Sequence, residues 1–109
     1  HVGFNEPGRV LYDGAHVEEL DESTIDANAR FFEKRSDVPT KAISMGIGDI
    51  LRAKKLLLLA TGENKVEAMK GLLLNEELDV QNPATMVKTH PDLTVIIDRA
   101  LADQIGYRG

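Results

Sequence analysis

The sequence contains no cysteine and no tryptophan, and its aromatic residues are limited to three phenylalanines and two tyrosines. The absence of cysteine excludes disulfide bonds and thiolate metal sites, and it fits a cytoplasmic location. The longest apolar run, residues 56–60, is far too short to cross a lipid bilayer. Acidic residues outnumber lysine and arginine by 18 to 13, which gives a net charge of −5. We therefore expect neither a membrane nor a nucleic acid as a partner.

Histidine is scarce and poorly spaced for metal binding. The three histidines are His1, His16 and His90, and no pair of them has the HxH or HxxxH spacing of a metal site. We expect no metal ion, and we interpret His16 and His90 as structural or solvated side chains. The acidic run of Glu18, Glu19, Asp21 and Glu22 is interpreted as a solvated face that also favours the start of a helix.

The chain also lacks an initiator methionine and a signal-peptide pattern. Its 109 residues are enough for one modest hydrophobic core, and no repeat, low-complexity tract or linker divides them. We expect residues 1–109 to form a single α/β domain, or the C-terminal part of a larger one.

Short strand and helix patterns alternate along the remaining sequence. Strands are predicted at 16–20, 42–45, 55–60 and 93–97, and helices at 23–32, 49–53, 64–74, 83–88 and 99–105. Ser23 and Asp26 resemble a capping box at the first helix. The continuous apolar run at 55–60 predicts a strand buried on both faces. This alternation predicts a three-layer α/β fold with a mostly parallel sheet.

The loop at the N-terminus places an imidazole and a carboxylate five residues apart, at His1 and Glu6. Histidine is the side chain best suited to moving protons near neutral pH, and a nearby carboxylate can fix its tautomer and stabilise its cation. Gly3, Pro7 and Gly8 predict a non-helical shape that could hold such a pair. Taken alone, a pair of this kind is more often structural or incidental than catalytic.

Two further positions carry cations that suit a phosphate group. Lys65 lies where a predicted strand ends at Thr61-Gly62 and a helix begins, a place where free backbone N–H groups and a lysine both attract anions. Arg30 has a guanidinium that can bind phosphate oxygens bidentately. The alternatives from pattern alone are a solvated lysine and a surface ion pair.

Three segments together resemble the glucosamine-6-phosphate deaminase (isomerase) family. They are Gly-Phe-Asn-Glu-Pro after His1, Ala-Asn-Ala-Arg-Phe-Phe around Arg30, and Thr-Gly-Glu-Asn-Lys ending at Lys65. They follow one another in the order that the family has, and the likeness covers nearly the whole chain. The resemblance implies a Rossmann-like α/β fold, of which this chain is expected to be the C-terminal portion.

The same resemblance implies a reaction and a set of residue roles. The family converts glucosamine 6-phosphate to fructose 6-phosphate and ammonia, without a metal or an organic cofactor. His1 would act as acid–base catalyst of ring opening and Glu6 would orient it, while Arg30 and Lys65, with the Gly62 turn, would bind the phosphate. The family's carboxylate that shuttles the C2 proton lies in the N-terminal half, so the 109-residue segment alone is expected to be inactive.

Related activities remain open at this point. A galactosamine-6-phosphate isomerase shares the Asn-Glu-Pro-Gly string, and it is a close alternative. A 6-phosphogluconolactonase has a different string in place of Phe4-Asn5-Glu6-Pro7. A non-catalytic sugar-phosphate sensor domain of a transcription regulator is a third hypothesis, although sensing does not need a His–Glu pair.

The chain departs from the allosteric members of the family. Those members have a serine and a basic pair at positions that align with Arg9, His16 and Glu18. A carboxylate at Glu18 repels a phosphate, so the activator site is not expected here. We therefore expect a monomer or a small homo-oligomer.

Overall fold

Short strands and helices alternate along the chain, as the sequence predicts. A computed structural model describes residues 2–8 and 10–108. The strands are β1 (His16–Glu19), β2 (Lys41–Ser44), β3 (Leu56–Ala60) and β4 (Leu93–Ile97). The α-helices are α1 (Glu22–Asn28), α2 (Ile47–Leu51), α3 (Val66–Leu73) and α4 (Arg99–Ile105). Turns of 3-10 helix lie at Ala29–Phe31, Arg35–Asp37, Glu63–Lys65 and Pro83–Thr89. Among the helices in these described ranges, none has the length and apolarity needed to cross a bilayer.

The strands form two separate pairs. Strands β3 and β4 are parallel, in a register that runs from Leu56 opposite Leu93 to Ala60 opposite Ile97. Strands β1 and β2 are antiparallel, with His16 opposite Ser44 and Glu19 opposite Lys41. A parallel pair requires a long crossover, which α3 and the 3-10 helix Pro83–Thr89 provide. The predicted α/β alternation is therefore present, with one parallel and one antiparallel pair in the part of the chain that is described.

The hydrophobic core lies on one side of the parallel pair. Its buried members come from β3, α3, the 3-10 helix and α4, and they are Ala60, Met69, Leu72, Val87, Leu101 and Ile105. Helix α4 is preceded by its N-cap Asp98, whose Oδ1 accepts the Leu101 N–H at 3.0 Å, and it is followed by its C-cap Gly106 with φ +74°. A polar cap and a left-handed glycine are the usual signals for these two ends.

The prediction that residues 55–60 form a strand buried on both faces was wrong. Along β3 the side chains alternate between intermediate burial and exposure, and Leu57 and Leu59 are 62% and 65% exposed. The described helices cover only the face that carries Leu56 and Leu58, which pack against the core. The run is apolar on both faces, but only one face is covered here.

The first helix differs from its prediction at both ends. Helix α1 begins at Glu22 with Asp21 as the N-cap, and no side-chain cap bond is formed, so the predicted Ser23 capping box is absent. The α-helix ends at Asn28 instead of reaching Phe32. The Asn28 side chain donates a hydrogen bond to the carbonyl of Thr24 at 2.9 Å, a local bond that competes with helix continuation. The following 3-10 turn carries Arg30.

Candidate active site

The N-terminal loop, residues 2–8, is fixed to the end of strand β2 by Asn5. The Asn5 side chain is 1% exposed, and its Nδ2 donates hydrogen bonds to the carbonyls of Val2 and Met45, both at 2.8 Å. The Ser44 hydroxyl accepts the Phe4 backbone N–H at 3.2 Å. Gly3 has φ +61°, a left-handed conformation that glycine adopts without strain. The Gly-Phe-Asn segment therefore forms a tight turn that is docked on the β1–β2 pair.

Glu6 connects the same loop to the first turn of helix α1. Its carboxylate is buried and accepts the Asp21 backbone N–H at 2.8 Å and the Thr24 hydroxyl at 2.9 Å. A negative charge at this end of a helix is favourable, and these two donors satisfy the buried carboxylate. The predicted partner of Glu6, His1, lies outside the described residues, so its role stays a prediction.

The pKa of the neighbouring Asp21 carboxyl is raised at this position. Partial burial raises the pKa of the Asp21 carboxyl above its usual value, and the hydrogen bond with Glu6 and the charges of Glu6 and Glu18 add to the rise. The start of helix α1 therefore concentrates negative charge beside the loop.

Glu18 and His16 contact each other beneath the loop. Glu18 Oε2 lies 2.8 Å from His16 Nε2, and the two side chains are 16% and 11% exposed. Glu18 Oε1 accepts the Glu6 backbone N–H at 3.1 Å. The interpretation of the acidic run as a solvated face was thus wrong for Glu18, while its neighbour Glu19 has a side chain that is 85% exposed. Strand alternation explains the difference, since adjacent residues point to opposite faces.

The Lys65 turn follows the carboxyl end of strand β3. Gly62 has φ +98° and ψ 151°, a combination that is strained for any residue with a side chain. Its carbonyl accepts the Lys65 N–H at 3.1 Å and closes the 3-10 turn Glu63–Lys65. The predicted helix therefore starts as a 3-10 turn, and Gly62 shapes the backbone that presents Lys65. Lys65 itself is exposed.

Arg30 and Lys65 line one cleft of about 610 Å³, together with Gly3 and Phe4 of the N-terminal loop. The cleft is completed by residues of the α1 region and the Lys65 turn: Ser23, Thr24, Ala27, Asn28 and Asn64. Segments that are far apart in sequence thus meet, as the predicted phosphate site requires. Gly62 is not among the lining residues, although it shapes the turn that holds Lys65.

Arg30 is placed by its own turn. Its Nη1 donates to the carbonyl of Ala27, and its guanidinium carbon lies 4.3 Å from the centroid of the Phe31 ring. Both contacts are at the protein surface, and the Ala27 contact uses one of the five guanidinium N–H donors. Within the described residues, no group of three or more His, Asp or Glu side chains has the geometry of a metal site.

Several residues that build this site escaped the sequence analysis. Thr24 and Ser44 are buried hydroxyls that bond Glu6 and the Phe4 N–H. Their common signal is a polar residue at the inward position of an amphipathic element. That signal is weak, because threonine and serine occupy such positions in many proteins for local reasons.

Comparisons with known proteins agree with the three sequence segments. No family model matches the chain. The chain is 50% identical over 105 residues to the glucosamine-6-phosphate deaminase of Enterococcus faecalis, which covers 96% of this chain and 45% of that protein. It is 54% identical over 103 residues to that of Latilactobacillus sakei, with 94% and 43% covered. The chain therefore spans less than half the length of these curated relatives.

A solved structure gives the same result at the level of the fold. It is a monomeric glucosamine-6-phosphate deaminase of the NagB superfamily, with a TM-score of 0.86 and 44% sequence identity over 95% of this chain and 43% of that one. The predicted Rossmann-like α/β class is thereby confirmed. More specifically, this chain is a homologue of the glucosamine-6-phosphate deaminases over nearly all of its own length, as the GFNEP, ANARFF and TGENK segments predict.

Proposed function

We propose that the protein carrying this chain is a glucosamine-6-phosphate deaminase, and that this chain supplies the C-terminal part of its active site. The observation that carries the proposal is the shared cleft, in which Arg30 and Lys65 lie beside Gly3 and Phe4 of the N-terminal loop. The cations would bind the 6-phosphate, and the loop would present His1 to the ring oxygen of the sugar. The homology to deaminases supports the choice of substrate.

The proposed reaction has three stages. Acid–base catalysis by His1 opens the pyranose ring to the aldehyde at C1. A proton then moves from C2 to C1 and a proton of the amine moves to the C1 oxygen, which converts the 2-amino aldehyde into the C2 imine of the ketose. Water hydrolyses that imine and releases ammonia and fructose 6-phosphate, so the net reaction is hydrolytic. The buried Glu6 carboxylate, held by Thr24 and the Asp21 N–H, would set the position of the loop during these steps.

Part of this machinery lies outside the chain. We propose that the base that moves the C2 proton comes from the N-terminal half of the protein, which the relatives have and this chain does not include. We expect the 109-residue segment alone to release no ammonia from glucosamine 6-phosphate. A cytoplasmic location is proposed with the function, because phosphorylated sugars are charged and do not cross membranes unaided.

The phosphate site is tested by removing each cation in the full-length protein. Arg30→Ala or Lys65→Ala removes charged hydrogen bonds worth about 1.5–3 kcal/mol, so kcat/KM should fall about 10- to 150-fold, mainly through KM. Lys70→Ala is the matched control, since Lys70 pairs with Glu67 on helix α3 and does not line the cleft. An unchanged KM in both cleft variants would contradict the site.

The acid–base role is tested by His1→Gln. Loss of a positioned acid–base group costs about 10²–10⁴-fold in kcat, whereas KM should change little. Full activity in this variant would exclude the role.

The competing substrate is tested in the same assay. Galactosamine 6-phosphate should give a lower kcat/KM than glucosamine 6-phosphate, and a higher value would favour a galactosamine-6-phosphate isomerase.

Regulation by an N-acetylated sugar phosphate is not expected. The Glu18 carboxylate and His16 occupy positions where allosteric members carry a basic pair, and Glu18 is already bonded to His16 and the Glu6 N–H. A ligand that does not bind cannot shift a conformational equilibrium. Rate curves should be hyperbolic with or without the acetylated sugar phosphate, and the protein should sediment as a monomer or a small homo-oligomer.

A further inference from the structure

Glu18 makes two contacts that reach the N-terminal loop and the strand beneath it. One carboxylate oxygen accepts the Glu6 backbone N–H at 3.1 Å, and the other lies 2.8 Å from His16 Nε2. The two contacts use both oxygens of a side chain that is 16% exposed. A carboxylate in this position is fixed on both sides, unlike the solvated acids around it.

His16 is held so that it can fix Glu18. Its Nδ1 lies 2.9 Å from the carbonyl of Gly14, and its ring lies 4.6 Å from the ring of Tyr12, centroid to centroid. A carbonyl oxygen only accepts hydrogen bonds, so Nδ1 carries the donor proton. The other ring nitrogen, Nε2, lies within hydrogen-bond distance of Glu18 Oε2, at 2.8 Å. The imidazole therefore ties Glu18 to the chain segment that precedes β1.

The neighbouring residue shows what an ordinary acid on this strand does. Glu19 has a side chain that is 85% exposed, and its only ion-pair contact among the described residues is with Lys41 at 4.0 Å. Exposed ion pairs of this kind contribute little to the stability of the folded protein. Glu19 thus has the same chemistry as Glu18 and lies one residue away, but its side chain makes no hydrogen bond to the described loop residues 2–8.

Glu6 is consequently held from both ends. Its carboxylate is bonded to the start of α1 through the Asp21 N–H and the Thr24 hydroxyl, and its backbone N–H is bonded to Glu18. Without Glu18, the peptide before Glu6 would lose its only described acceptor and could rotate. Gly3 and Phe4, which precede it, form part of the cleft wall.

We propose that Glu18 is a positioning residue for the deaminase reaction, which holds the N-terminal loop in its productive geometry through the Glu6 N–H. The proposal rests on the function proposed above. Glu18 does not line the cleft; it acts through the loop. Its loss should therefore lower kcat more than it raises KM, because Arg30 and Lys65 lie on other elements.

Glu18→Ala, Glu18→Gln and Glu19→Ala in the full-length protein test the proposal. Misplacement of a catalytic loop by about 1 Å costs about 10²-fold, so Glu18→Ala should lower kcat by about 10- to 100-fold with KM changed less than about threefold. Glutamine keeps an acceptor oxygen for the Glu6 N–H and offers an amide donor to a neutral His16 Nε2, so Glu18→Gln should stay within about threefold of wild type. Glu19→Ala should match wild type.

Amide hydrogen exchange at Glu6, followed by NMR, gives a second readout that does not depend on turnover. The exchange rate should rise about tenfold or more in Glu18→Ala and stay near wild type in the glutamine and Glu19 variants. Unchanged exchange and unchanged kcat in Glu18→Ala would overturn the proposal, as would a glutamine variant as impaired as the alanine one. Faster exchange in a protein whose wild type releases no ammonia would uphold loop positioning by Glu18 and overturn the proposed deaminase function instead.

Discussion

The two strand pairs of this chain are stabilised by different forces. Strands β3 and β4 carry a cluster of buried apolar side chains contributed by α3, α4 and the 3-10 helix Pro83–Thr89. Around β1 and β2, where Ile25 and Val38 are also buried, the contacts that fix the N-terminal loop are hydrogen bonds that involve polar side chains: Asn5, Glu6, Glu18, Thr24 and Ser44. Apolar burial is non-directional and tolerates small shifts, whereas hydrogen bonds fix atoms to within tenths of an ångström.

This difference matches what each region is proposed to do. The apolar region, which consists of β3, β4 and the helices packed on them, presents Lys65 from a turn at the end of a strand. The long side chain of Lys65 can adjust to a phosphate. The polar region, which consists of β1, β2, α1 and the N-terminal loop, holds Glu6 in place, where acid–base chemistry depends on geometry. Directional contacts are placed where position matters most, and the apolar packing supplies the rigid support.

The largest effect is expected from damage to the apolar region. Leu101 is 1% exposed at the centre of the core cluster, and Leu101→Ala should lower the free energy of unfolding by about 2–5 kcal/mol, from lost burial and a residual cavity. Leu78→Ala is the control, since Leu78 is 50% exposed and its loss should cost far less. Urea denaturation of the purified full-length variants measures both. Equal losses at the two sites would refute the assignment of the core.

The apolar region is also the one that the sequence predicts best. The apolar run within residues 55–60 and the mostly apolar residues 93–97 predict strands, and the structure has strands at Leu56–Ala60 and Leu93–Ile97. The closing helix Arg99–Ile105 matches its prediction as well. Periodicity reports burial against a neighbouring layer, so it identifies the elements. It does not say which face is covered, and that is why the exposure of Leu57 and Leu59 was missed.

The polar region was predicted only in part. The resemblance singled out Glu6, Arg30 and Lys65, and the structure brings Arg30 and Lys65 to one cleft beside the loop. The supports of Glu6 were not foreseen, because the bonds to Thr24 and Glu18 join residues 18 and 12 positions apart with no periodic signal. Such contacts depend on the relative placement of whole elements, which local sequence does not encode.

An intermediate effect is expected from breaking one bond of the polar region. Thr24→Val preserves the shape of the side chain and removes the hydroxyl that donates to the buried Glu6 carboxylate. This change should lower the free energy of unfolding by about 1–3 kcal/mol. Thr94→Val makes the same chemical change at an exposed position on β4 and should be nearly neutral. In the full-length protein, Thr24→Val should also lower kcat, whereas Leu101→Ala should leave kcat of the folded fraction nearly unchanged. The comparison fails if Leu101→Ala impairs turnover more than Thr24→Val does.

The smallest effect is expected from Asp21→Asn, and it depends on pH. The pKa of Asp21 is raised in the folded protein, first by partial burial and then by the hydrogen bond with Glu6 and the negative charges of Glu6 and Glu18. The folded state therefore binds more protons than the unfolded chain between the usual pKa of 3.8 and the raised value, and wild-type stability falls as pH increases through that window. Asparagine is an equally good N-cap and carries no charge.

Asp21→Asn should accordingly leave Tm unchanged near pH 3, where the carboxyl is protonated in both states, and raise it slightly at pH 7, where wild type carries the unfavourable charge. Asp98→Asn is the control for exchanging the two residues at a helix N-cap, since Asp98 caps α4 in the apolar region through the Leu101 N–H. Thermal unfolding of both variants from pH 3 to pH 8 separates the cap from the charge. If Asp21→Asn and Asp98→Asn follow the same pH profile, the negative charges near Glu6 do not lower the stability of the protein. The two regions would then differ only in how their side chains pack.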